Sequence, residues 1–246
     1  MRRFSCAILT IAASPALFAA RKAAAHAPAS NLPSQANLSS SMQILLLMTV
    51  LTLLPAVIVC LTPFLRLSIV LHFLRQALGT QTVPSNQVLV GLSLFLSLII
   101  MQPVLSNIYT AAWQPLEEGT IGYQQAMDAG SVPLRQFLLH FTREKDIQLF
   151  LEISKSPSPK TPNDLSLAIL APAYILSEIK VAFQIGAVLF LPFLVIDIVV
   201  ASVSLSIGMV QLPPVMISAP FKILLFVVVD GWTLLIGSLM KGLVQT

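Results

Sequence analysis

Apolar positions in this chain run on for far longer than the stripes of a soluble fold. Residues 42–65 carry no charge, a stretch of 24 residues, and about 20 apolar residues suffice for a helix to cross a bilayer. A second uncharged run covers residues 88–113. A third, 165–212, is too long for a single span and is interrupted by Pro172 and Pro192. A fourth covers residues 215–240 and contains Pro220. The paired prolines Pro213 and Pro214 separate the last two, because proline removes a backbone donor and ends a helix.

The polar segments between these runs predict a topology. Residues 66–87 carry Arg66 and Arg75 and no acid, which reads as a cytoplasmic loop under the positive-inside rule. Residues 114–164 hold seven acidic and five basic residues and read as an exported insertion. Within it Leu134, Phe137, Leu138 and Phe141 recur at helical spacing, an apolar stripe that fits either its own chain or a partner. Three prolines in residues 156–162 mark a linker.

Composition sharpens the class. Only 10% of residues are charged and 56% are apolar, against about 25% charged in an ordinary soluble domain. The net charge of +4 comes from Arg2, Arg3, Arg21 and Lys22. The remainder is balanced, so nucleic-acid binding has no electrostatic support. The basic start, the apolar stretch 4–20 and the small residues Ala23, Ala24 and Ala25 predict a signal peptide over 1–25. A polar exported arm follows over 26–41.

Candidate chemistry lies in five charges set in apolar surroundings: Glu178, Lys180, Asp197, Lys222 and Asp230. Such groups face a bundle interior, a partner or an aqueous path. Glu178 and Lys180, two apart on a helix, point about 200° away from each other and so need separate partners. Pairing between segments or between subunits is the expected use. His26, His72 and His140 are scattered without metal-ligand spacing. No nucleophile elbow or phosphate-binding loop occurs, so no catalytic, cofactor or metal site is expected. An ion-coupled transporter or proton channel acting through Asp197 or Asp230 is the alternative from another class.

Several stretches resemble a known family: "TPFLRLSIVLHFLRQALGTQTVPSNQVLVGLSLF" (62–95), "TREKDIQLF" (142–150), "PAYILSEIKVAF" (172–183), "PFLVIDIVVASVSLSIGM" (192–209) and "LPPVMISAPFKILLFVVVDGW" (212–232). Over about residues 42–243 the chain resembles the FliP family of flagellar biosynthesis proteins, which includes export-gate subunits of virulence type III secretion systems. The resemblance implies an all-α membrane protein whose broken helical hairpins assemble into a helical oligomeric export gate, a pentamer in the family. It further implies FliQ and FliR as partners, with FlhB and FlhA nearby, and unfolded flagellar proteins as cargo. The place implied is the inner membrane at the flagellar basal body, with a periplasmic region.

On this reading residues 42–113 form a first hairpin region, 114–164 the periplasmic insertion and 165–246 a second hairpin region. The family's channel-gating loop maps onto Gly208, Met209, Val210, Gln211 and Leu212. Only Met209 is methionine there, where the family commonly has several, so the loop keeps its apolar character through Val210 and Leu212 and loses it at Gln211. The charges Glu178, Lys180, Asp197, Lys222 and Asp230 are assigned to subunit contacts. The signal peptide and the long insertion favour the flagellar branch over the virulence branch.

Overall fold

The computed structural model describes residues 40–80, 82–155, 161, 164–208 and 213–244. The expected signal peptide and most of the arm lie outside the described residues, as does nearly all of the proline-rich linker. Among the described residues every regular element is helical. Of these described helices, three are long and apolar enough to cross a membrane, or up to four when one bent pair counts as a single span. The chain divides into two compact units, 1–49 and 50–246.

Of the first unit only residues 40–49 are described, the leading half of α1 (Ser40–Cys60). This helix is apolar all round and its side chains are exposed along nearly its whole length. A helix without a polar face suits lipid rather than water. Pro55 is carried inside the helix, and the chain breaks only after Cys60.

In the second unit, α2 (Phe64–Ala77) occupies the centre. Leu67, Val70, Leu71 and Leu74 recur at i, i+3, i+4 and i+7 and are all buried. Residues 66–77 of the segment expected as a loop are therefore part of a core helix. Arg66 misleads because it is itself buried and neutralised within the protein, so its charge does not mark water.

From α2 a turn leads into α3 (Asn86–Ile108), which runs on through a π-helical turn (Tyr109–Trp113) into the short α4 (Gln114–Glu117). The insertion supplies α5 (Tyr123–Phe141) and α6 (Glu144–Ser154). The stripe of α5 packs on its own chain: Leu134, Phe137, Leu138 and Phe141 meet Leu165, Leu170 and Tyr174.

The third apolar run forms one continuous helix, α7 (Leu167–Ser206), about 60 Å long at 1.5 Å per residue. Ser166 caps it by accepting a hydrogen bond from the Ala168 amide at 3.3 Å. Pro172 and Pro192 are both accommodated inside it. Its length is about twice a bilayer core, and its two halves differ accordingly. Leu170, Ala173, Tyr174, Ser177, Glu178 and Ala182 are buried by other helices, whereas Leu191, Leu194, Val195, Ile198 and Val199 are exposed.

α2 and α7 pack side by side and run in the same direction. Arg66 meets Glu178 near one end, Phe73 meets Gly186 in the middle, and Leu74 and Ala77 join a cluster with Phe193 near the other. The Phe73 ring lies directly on Gly186, where a Cβ would sit 2.5 Å from a ring carbon. The same ring contacts Phe183 and Phe190 edge-on, with centroids 5.1 and 5.9 Å away.

The chain closes with α8 (Pro214–Val228) and α9 (Gly231–Val244), bent by 66° at the intervening break. Asp230 makes that bend with φ of +51°, and the Phe226 ring covers Gly231 so closely that a Cβ there would meet it at 2.3 Å.

Candidate functional site

Among the described residues, three ion pairs hold these helices together. In the first, the Arg66 guanidinium forks onto the Glu178 carboxylate, with Nε donating to Oε2 at 2.8 Å and Nη2 donating to Oε1. Glu178 is fully buried and Arg66 is nearly so. The Phe141 ring lies 5.4 Å from the guanidinium carbon and adds a cation–π contact from α5. This two-pronged geometry is what makes a buried pair tolerable, since each charge must recover what it loses on leaving water.

The second pair ties the insertion to α7. Lys180 Nζ donates to Asp146 Oδ1, and Ser177 Oγ donates to Asp146 Oδ2 at 2.7 Å. Ser177 Oγ in turn accepts from the Arg143 amide at 3.1 Å, while Arg143 Nη2 donates to Gln184 Oε1 at 2.6 Å. Ser177, Lys180 and Gln184 share one face of α7, at i, i+3 and i+7, so a single face grips the start of α6. Burial raises the Asp146 carboxyl pKa. The hydrogen bonds from Lys180 and Ser177 and the charges of Lys180 and Arg143 outweigh it and hold the group below an ordinary aspartate.

The third pair sits at the far end of α2. Lys222 Nζ on α8 donates to Asp197 Oδ2 on α7 at 2.6 Å and to the Ala77 carbonyl at 3.1 Å. Ser218 Oγ donates to the other Asp197 oxygen. The Ala77 carbonyl is one that the end of a helix leaves without an intrahelical partner, and Lys222 supplies both its hydrogen bond and a positive charge at the negative pole of α2.

The five sequence-predicted charges are thus distributed unevenly. Glu178 and Lys180 do take separate partners, on α2 and α6 respectively. Asp197 and Lys222 pair with each other. All three pairs lie within the chain. Asp230 stands apart, exposed on the bend between α8 and α9. Of the loop positions, Gly208 lies in the turn after α7 with φ of +78°. Met209, Val210, Gln211 and Leu212 lie outside the described residues.

Sequence reasoning missed Arg66, Asp146, Ser177 and Ser218. The signal for Arg66 was present: an arginine among residues of a helical apolar period, equal in kind to Glu178. Asp146 stood in a polar segment where one more acid drew no notice.

A model of the FliP family matches residues 47–239. The flagellar biosynthetic protein FliP of Bacillus subtilis (strain 168) is 48% identical over 206 residues, covering 84% of this chain and 93% of that protein. Its namesake in Pectobacterium carotovorum subsp. carotovorum is 48% identical over 202 residues, covering 82% and 78%. The FliP of Caulobacter vibrioides (strain ATCC 19089 / CIP 103742 / CB 15) is 43% identical over 243 residues, covering 98% and 91%.

Proposed function

The chain belongs to the FliP family, and from that premise we propose that it is a non-enzymatic subunit of the flagellar protein-export gate in the bacterial inner membrane. Several copies, a pentamer by family analogy, assemble with FliQ and FliR into the conduit for unfolded flagellar proteins. FlhB and FlhA are the further neighbours. The exported hairpin of α5 and α6 is the periplasmic region, and residues 208–212 form the gating loop.

One observation carries this reading. Glu178, Lys180, Asp197 and Lys222, four of the charges set in the apolar helices, are engaged in ion pairs that brace the helices, while α1 and the second half of α7 present extended, mostly apolar surface. That is the design of a braced element meant to be surrounded by lipid and other helices. The relatives are flagellar biosynthetic proteins by name, which supports the flagellar branch over the virulence branch. A lone ion-coupled transporter has less support, because Asp197 is already tied to Lys222 and Ser218.

Removing the chain from its host tests the proposal. Flagellar subunits should then accumulate inside the cell and vanish from the medium, and restoring the chain should restore export. Undiminished export without it would refute the proposal.

A further inference from the structure

The start of α6 is built from two helices rather than one. α6 has 11 residues, and isolated helices shorter than about 12–15 residues are marginal in water. Its own sequence does little to fix its ends. Arg143 stands at the N-cap, where Ser, Thr, Asp and Asn are the residues that cap. The Arg143 side chain makes no cap hydrogen bond and reaches across to Gln184 on α7 instead. Lys155 closes the other end in the left-handed region, at φ of +50°, a place usually taken by glycine.

In a capping box the N-cap side chain accepts from the N3 amide, and the N3 side chain accepts from the N-cap amide. The N3 residue of α6 is Asp146. Between it and the N-cap amide lies the hydroxyl of Ser177, from α7. That hydroxyl accepts from the Arg143 amide at 3.1 Å and donates to Asp146 Oδ2 at 2.7 Å. One side chain of α7 thus completes a cap that α6 does not complete alone. Ser177 and Asp146 are both buried, so water has no ready access to replace the hydroxyl. Lys180 holds the same carboxylate from a half-exposed position, where solvent screens its charge. Apolar contact adds only part of the hold: Ile147 and Leu151 pack inward, whereas Leu149 and Ile153 are exposed.

We infer that Ser177 is the positioning residue of the insertion: its hydroxyl supplies the N-terminal cap of α6 from α7, so that α6 stays helical only while it is seated there. The amide and the carboxylate converge on one oxygen fixed to α7, and the start of α6 follows that helix. The inference concerns how the insertion is held and stands apart from what the chain exports.

Amide exchange in the full-length protein in detergent tests it, with residues 143–155 compared with residues 123–141 and intrinsic rates divided out. Ser177→Ala should speed exchange in α6 about tenfold, the equivalent of losing one helix cap, and leave α5 unchanged. The acid step gives a second readout. Lys180 on α7 and Arg143 at the start of α6 are the charged groups that face Asp146, and the variant leaves both in place. Burial raises the Asp146 carboxyl, and hydrogen bonds from Lys180 and Ser177 hold it below an ordinary aspartate. Removing one of those bonds should raise the pH at which α6 loses protection. Unchanged exchange in α6 would overturn the inference. Equal losses in α5 and α6 would make Ser177 a general packing residue and overturn it too. Faster exchange in α6 with the acid step left in place would do the same, because the effect would not pass through Asp146. If Ser177→Ala fails to accumulate, Ser177→Cys, close in size and only a weak donor, is read in the same way.

Discussion

Arg66 and Glu178, 112 residues apart in the chain, meet in the core as a forked ion pair with neither group open to water. Everything packed between α2, α5 and α7 is arranged around that contact. Its energetics are asymmetric. The intact pair is worth little net, because desolvation offsets attraction, but half a pair is costly. Glu178→Ala or Arg66→Ala should each destabilise the chain by about 3–5 kcal/mol. The double variant Arg66→Leu/Glu178→Leu should recover much of that loss. Thermal stability in detergent reads both, and a double variant worse than the sum of the singles would show that the pair is not the relevant unit.

A second expectation concerns pH. Asp146 is held below an ordinary aspartate by its partners on α7. A depressed carboxyl contributes stability that is present above its unfolded value, about 3.9, and lost as pH falls through the folded value. The grip of α7 on α6 should therefore be constant from neutral pH to about pH 5 and weaken below about pH 4. Amide exchange in α6 measures it. Asp146→Asn should abolish the acid step and raise exchange at neutral pH; an unchanged acid step in that variant would assign it to another group.

Packing gives a third. A Cβ at Gly186 would lie 2.5 Å from the Phe73 ring, itself held by Phe183 and Phe190. Gly186→Ala should cost about 1–3 kcal/mol, since a filled contact yields only through strain. Phe73→Leu in the same chain should relieve part of it. If Gly186→Ala alone melts like the wild type, α2 and α7 are not as closely apposed as described.

The bend at Asp230 gives a fourth. Its φ of +51° is tolerated by Asp, Asn and Gly and resisted by branched side chains. Asp230→Asn and Asp230→Gly should be nearly neutral for stability, and Asp230→Val should cost about 1–3 kcal/mol. A neutral valine variant would mean that the bend is made elsewhere. Export activity in the stable asparagine variant separates a role for the charge from the role of the backbone.

These contacts also show what one sequence conveys. The first two spans were legible because uncharged runs of membrane length need no knowledge of their neighbours. The separate partners of Glu178 and Lys180 were legible from helix geometry alone. Which partners was not, since pairing Glu178 with Arg66 or Lys180 with Asp146 depends on how distant helices pack. The same gap hid α2: its apolar period was visible, but Arg66 read as a mark of water until its counter-charge was found inside. The continuity of α7 through Pro172 and Pro192 was obscured because proline costs a hydrogen bond that a long, partly covered helix can forgo.

The central claim is that this chain is a gate subunit built to assemble. The most direct test is the native mass of the full-length protein, purified in mild detergent after co-expression with FliQ and FliR. The account expects a stable complex holding several copies of the chain together with both partners. A single chain that purifies free of them, at its own mass of 26.6 kDa plus detergent, would contradict it.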